Sequence, residues 1–103
     1  MEPQIPIDQA AIEAFCQKWK IIEFSLFGSV LREDFRPDSD VDVLVTFAPD
    51  AHRTLFDLVD MVEELEGFLG RKVDIMTRRS IESSENYLLR RGILSSTQMI
   101  YAA

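Results

Sequence analysis

A chain of 103 residues, 47% hydrophobic and 28% charged, has room for one small domain and not for two. Its formal net charge of −7 argues against a broad electrostatic grip on DNA or RNA, which needs clustered lysine and arginine. The single cysteine, Cys16, excludes an internal disulfide, and no N-terminal apolar run qualifies as a signal peptide or membrane span, so a cytoplasmic location is expected.

Ile12, Phe15, Cys16 and Trp19 recur at helical spacing, with Asp8 placed as an N-cap. That helix should pack on a sheet, and Cys16 on its apolar face belongs to the core rather than to chemistry. Ile22 to Phe27 reads as a strand ending at Gly28-Ser29, where a short helix carrying Arg32 is expected to begin. Pro37 and Asp38 mark a turn before a second strand, Asp40 to Phe47. His52 falls in the polar loop from Pro49 to Arg53 and is expected to face solvent.

Thr54 then reads as an N-cap, with Asp57 in a capping-box-like position. Leu55, Leu58, Val59, Val62, Leu65 and Leu69 form the expected apolar stripe of the next helix. Asp60, Glu63, Glu64 and Glu66 are assigned to its other face, as a solvated surface or a dock for a basic partner. Gly70 ends the helix, and a strand follows at Lys72 to Thr77. In the tail, Tyr87, Leu88, Ile93 and Leu94 suggest a short helix, and Met99-Ile100-Tyr101 should bury against the sheet edge or a partner. Helices alternating with strands imply an α/β (α+β) domain over residues 1–103, a small mixed sheet with helices packed on one face.

The chemistry lies in two strand ends. Asp40 and Asp42 fall on one face of their strand, Cα atoms roughly 6 to 7 Å apart, while Val41, Val43 and Val45 face the other way. Like-charged carboxylates on one face repel, and a hard divalent ion relieves the repulsion. Mg²⁺ takes one or two carboxylates plus substrate phosphate oxygens. Gly28 permits close backbone approach to a phosphate, and Ser29 adds a hydroxyl at the helix start. Asp74, between Val73 and Ile75, has the same strand parity; if its strand lies beside the first, three carboxylates converge on one rim.

Other readings fail at named positions. Asp38, Asp40 and Asp42 mimic the first ligands of an EF-hand loop, but Val43 stands where glycine is required and Pro49 where a bidentate glutamate would be. No Gly-Lys-Ser/Thr follows Gly28, which excludes a P-loop. Rossmann glycine spacing is absent.

Phe27-Gly28-Ser29-Val30-Leu31-Arg32 followed by Arg36-Pro37-Asp38-Ser39-Asp40-Val41-Asp42-Val43-Leu44-Val45 closely resembles the minimal nucleotidyltransferases (MNT) of the polymerase-β-like superfamily, found as antitoxins beside HEPN-domain toxins. The resemblance runs from about Ile21 to Thr77. It implies transfer of AMP from ATP to a hydroxyl, with Asp40, Asp42 and Asp74 holding two Mg²⁺ ions and Gly28 and Ser29 binding the β and γ phosphates. Arg32 either neutralises triphosphate charge or is a solvated helix residue, and Ser39 either caps the turn or touches the nucleotide. Arg36 is expected to be a surface or turn-supporting residue, with a place facing the leaving pyrophosphate as the alternative. Val30 stands where an arginine is frequent in the family and Glu33 where glycine often occurs, which puts one further phosphate contact in doubt.

The implied acceptor is a tyrosine of a partner HEPN RNase toxin, met in a hetero-oligomer and neutralised by the modification. Two alternatives remain at the level of sequence: a non-catalytic subunit that masks the toxin by binding, and a small-molecule adenylyltransferase. The lack of room for a second domain disfavours the latter.

Overall fold

The computed structural model describes residues 7–28, 40–52, 54–82 and 97–103. Its elements are α1 (Gln9–Trp19), β1 (Ile21–Phe27), β2 (Val41–Phe47), α2 (Leu55–Leu69), β3 (Val73–Thr77), α3 (Arg78–Glu82) and β4 (Thr97–Ala102). The expected helix after Ser29, the turn at Pro37 and the tail helix at Tyr87 to Leu94 lie outside the described residues.

Asp8 caps α1, its carboxylate accepting from the Ala11 amide at 3.1 Å. The helix buries Ile12, Phe15 and Cys16 and ends at Lys20 in the left-handed region, φ +58°. Thr54 and Asp57 form the full capping box of α2, each side chain accepting from the other residue's amide. Gly70 closes α2 at φ +70°, its amide donating to Glu66 O.

The four strands lie in the order β3-β2-β1-β4. β1 is antiparallel to both β2 and β4, whereas β2 and β3 run parallel and are connected through α2. The sheet is therefore mixed, as the sequence suggested. Met99-Ile100-Tyr101 lies within β4, which pairs with β1 at the sheet edge; Ile100 and Tyr101 pack against the core as expected, but Met99 is exposed, and the alternation there is disrupted by an irregularity between Phe24 and Ser25. A second irregularity, between Ile21 and Glu23, lets both Ile21 and Phe24 reach the core.

Both long helices cover one face. Ile12, Phe15 and Cys16 of α1 and Met61 and Leu65 of α2 pack with Phe24, Leu26, Val41, Val43 and Val45 in one core. Phe15 meets Phe24 edge-to-face at 6.2 Å between ring centres. The opposite face carries a smaller cluster of Phe27, Leu44 and Met76.

One correction concerns α2. Leu55 and Val59, assigned to the apolar stripe, are exposed, and Met61 is the fully buried residue instead. The core stripe is centred on Leu58, Met61, Leu65 and Leu69, a rotation that places Leu55 and Val59 over the edge. Met61→Ala is therefore expected to lower stability by about 2 to 5 kcal/mol in urea unfolding, and Leu55→Ala by less than about 0.5 kcal/mol.

Cys16 is fully buried. Burial, reinforced by the Glu13 carboxylate, pushes its thiol from 9.0 up to about 12. The thiolate is the reactive form, so alkylation by iodoacetamide at pH 8 should proceed at the rate of unfolding, and at least ~10²-fold faster in denaturant. Among the described residues, no helix is long and apolar enough to cross a membrane.

Candidate active site

β1 delivers Gly28 to the start of β2. Phe27 pairs with Asp42 across the antiparallel ladder, so the chain turns at Gly28 directly beside the Asp42 side chain. Gly28 has φ +76°, and a Cβ built on it would stand 2.5 Å from Asp42 Oδ2 and 3.4 Å from Asp42 Cγ. Glycine is thus required twice over, for the backbone conformation and for the space.

Across the other edge of β2, Asp42 is the register partner of Asp74 in the parallel ladder. Adjacent strands lie about 4.8 Å apart, so the two carboxylates project from neighbouring positions on the same face. That face is opposite the one covered by α1 and α2, because Val41, Val43 and Val73 on the alternate parity are in the helix-covered core. The strand parity expected of Asp74 is what the structure has. Asp40 immediately precedes β2 and is exposed, as is Asp74, whereas Asp42 is half-buried.

Like charges directly opposite one another in a sheet are destabilising by up to about 1 kcal/mol. A hard cation would offset such repulsion between neighbouring carboxylates. Among the described residues, no three of His, Cys, Asp and Glu gather closely enough to enclose a metal by themselves. Asp40, Asp42 and Asp74 all lie among those residues, so of the three carboxylates expected to converge on one rim the structure brings together only the register pair Asp42 and Asp74. Ser29, Arg32 and Ser39 lie outside the described residues.

The nucleotidyltransferase-domain family matches residues 9–100. The chain belongs to that family. Among curated relatives of this chain, protein MJ1379 of Methanocaldococcus jannaschii, a candidate protein adenylyltransferase, is 35% identical over 66 residues, covering 64% of this chain and 66% of the relative. The protein adenylyltransferase MntA of Thermococcus cleftensis is 34% identical over 67 residues, covering 65% of this chain and 66% of its own. The aligned part is thus just under two thirds of these relatives' length.

A solved candidate minimal nucleotidyltransferase superposes with a TM-score of 0.67 at 34% identity, over 87% of this chain and 86% of that one. A complex of tri-AMPylated HEPN toxin with MNT antitoxin from Shewanella oneidensis contains a chain that superposes with a TM-score of 0.63, over 92% of this chain and 70% of that one. At 20% identity that likeness is one of fold alone. The resemblance to the minimal nucleotidyltransferase family is borne out.

The strand carrying Asp74 is tied down by a residue that helical periodicity placed in solvent. Glu66, assigned to the solvated face of α2, turns back so that its Oε2 accepts from the Val73 amide at 3.0 Å. Val41 N donates to Lys72 O at 2.9 Å, starting the parallel ladder just ahead of the acid pair. Glu66 is therefore a positioning residue for the strand that carries Asp74. Its signal in the sequence was faint, a glutamate just before the helix-ending Gly70 with the strand close behind.

Proposed function

We propose that this chain is a single minimal nucleotidyltransferase domain that transfers AMP from ATP to a hydroxyl of a partner protein. In this reading the acceptor is a tyrosine of a HEPN-domain RNase toxin, bound in a cytoplasmic hetero-oligomer and neutralised by the modification. The observation that carries the reading is the register pairing of Asp42 with Asp74 beside Gly28. The names of the relatives, protein adenylyltransferases, and the AMPylated toxin bound to a chain of the same fold support adenylyl transfer to protein.

Asp40, Asp42 and Asp74 would hold Mg²⁺, which supplies charge neutralisation on the triphosphate and lowers the pKa of a neighbouring hydroxyl. Gly28 and Ser29 bind the β and γ phosphates; Arg32 and Ser39 complete the nucleotide side. The acceptor oxygen forms a bond to Pα as the bond from Pα to the bridging oxygen breaks. Pyrophosphate leaves, and the hydroxyl proton passes to Asp74 or to water. Positioning and electrostatics do most of the work in transfers of this type.

The test combines the chain, ATP, Mg²⁺ and a HEPN-domain protein encoded beside it, with intact-mass measurement. The toxin should gain the mass of one or more AMP groups, and Asp40→Asn with Asp42→Asn should abolish the gain. Toxin inhibition without ATP that survives both substitutions would instead establish masking by binding.

A further inference from the structure

Helix α2 carries five acidic residues, and the fold uses three of them. Asp57 completes the capping box, Glu64 accepts from Lys18 Nζ at 2.9 Å and Trp19 Nε1 at 3.1 Å, and Glu66 holds the Val73 amide. Asp60 and Glu63 are exposed and meet no cation among the described residues. They stand four residues beyond Phe56 and Val59, which places each on the same flank of the helix as its apolar neighbour.

Those apolar neighbours are themselves in water. Leu55 is 80% exposed, Phe56 84% and Val59 55%. Together they present on the order of a few hundred Å² of apolar surface, the size at which an exposed patch marks an interaction site. Phe56 adds the aromatic anchor that such sites favour. A helix start needs no such residues for its own stability, since Thr54 and Asp57 already cap it.

We propose that the first turns of α2 are a docking surface for a cationic amphipathic helix of a partner protein. Its apolar side chains cover Leu55, Phe56 and Val59, and its lysines or arginines reach Asp60 and Glu63. Charge decides against a second copy of this chain as the occupant. Two such faces would bring the same unpaired acids together, on molecules each carrying a net charge of −7.

The placement separates grip from chemistry. Leu58, in the same turn of α2, lines a pocket with Val45, Phe47 and Thr77, so the patch lies by the C-terminal ends of β2 and β3. Asp42 and Asp74 lie near their beginnings, a strand's length or roughly 15 to 20 Å away, on the other face of the sheet. The inference needs a protein partner, as the proposed function does, but it needs no nucleotide.

The test uses a helical peptide of leucine and lysine, roughly 18 residues and long enough to hold a helix, with a leucine-glutamate peptide as control. Anisotropy titration should show saturable binding of the lysine peptide alone, with amide NMR shifts centred on residues 55–63. Combining Leu55→Ser, Phe56→Ser and Val59→Ser should weaken binding at least ~10-fold without lowering the thermal midpoint. Asp60→Asn with Glu63→Gln should weaken it and flatten its salt dependence.

Undiminished binding by the triple variant, or shifts centred elsewhere, would overturn the proposal. So would a lowered midpoint in that variant, which would mean that the patch is covered within the chain. Self-association of the wild type that the triple variant abolishes would make a second copy the occupant. Failure of AMP transfer leaves the peptide result standing, and failure of peptide binding leaves the transfer assay standing, so the two readings fall separately.

Discussion

Asp42→Asn is expected to reduce adenylyl transfer at least ~10³-fold while leaving the fold intact, because in the proposed mechanism its charge would face the reacting phosphate, where a preorganised charge is worth several kcal/mol in the transition state. Asp42 is the carboxylate shared by both neighbours of the site, paired in register with Asp74 and lying against Gly28. An amide in its place keeps the shape and removes the charge. Asp74→Asn should also cut the rate steeply, and its effect on stability gives an independent signature. Removing one of two facing like charges should leave the unfolding free energy unchanged or raise it by about 0.2 to 1 kcal/mol in metal-free buffer. Rate measured by AMP incorporation and stability measured by urea unfolding therefore move in different directions. A purely structural pair of aspartates would lose stability on substitution and leave any transfer untouched.

Gly28→Ala is expected to fail for two reasons that a control can separate. At φ +76° an L-residue pays about 1 to 2 kcal/mol for the left-handed conformation. The added methyl would also stand 2.5 Å from Asp42 Oδ2, so the carboxylate must swing away. Misplacement of a catalytic group by about 1 Å costs on the order of 10²-fold in rate. Gly70, at φ +70°, carries the same backbone demand, yet a Cβ there meets nothing within 4 Å. Gly70→Ala should therefore show a similar loss in thermal unfolding with no loss of transfer, and Gly28→Ala should show both. Equal activity in the two variants would disconnect the glycine from the site.

Much of this arrangement was legible because it is local. The caps at Asp8, Thr54 and Gly70 are hydrogen bonds between near neighbours, so the residue types alone disclose them. The period-2 alternation of Val41, Val43 and Val45 against Asp42 fixes which face each side chain takes. The same parity argument put Asp74 on the correct face without showing which strand would lie beside it. Leu55 and Val59 were misplaced because their spacing fits an apolar stripe as well as that of Leu58 and Leu65. Helical periodicity gives the phase of a stripe only to within about one residue's rotation, and packing against β2 and β3 selected the turn that buries Met61.

Sequence by itself pointed to the family and to the candidate residues: Gly28 followed by serine, Asp40 and Asp42 at a strand start and Asp74 of matching parity, in a chain belonging to the nucleotidyltransferase-domain family. Residue type and short-range spacing suffice for that, since they govern charge, donor atoms and strand face. Tertiary structure decided what those residues have as neighbours. The parallel register sets Asp42 against Asp74, and Glu66 and Lys72 fix where that register begins. The rotation of α2 leaves Leu55, Phe56 and Val59 in water. Each of these depends on contacts between segments distant in sequence or on which of several apolar faces wins the core, and burial of the whole molecule settles that choice.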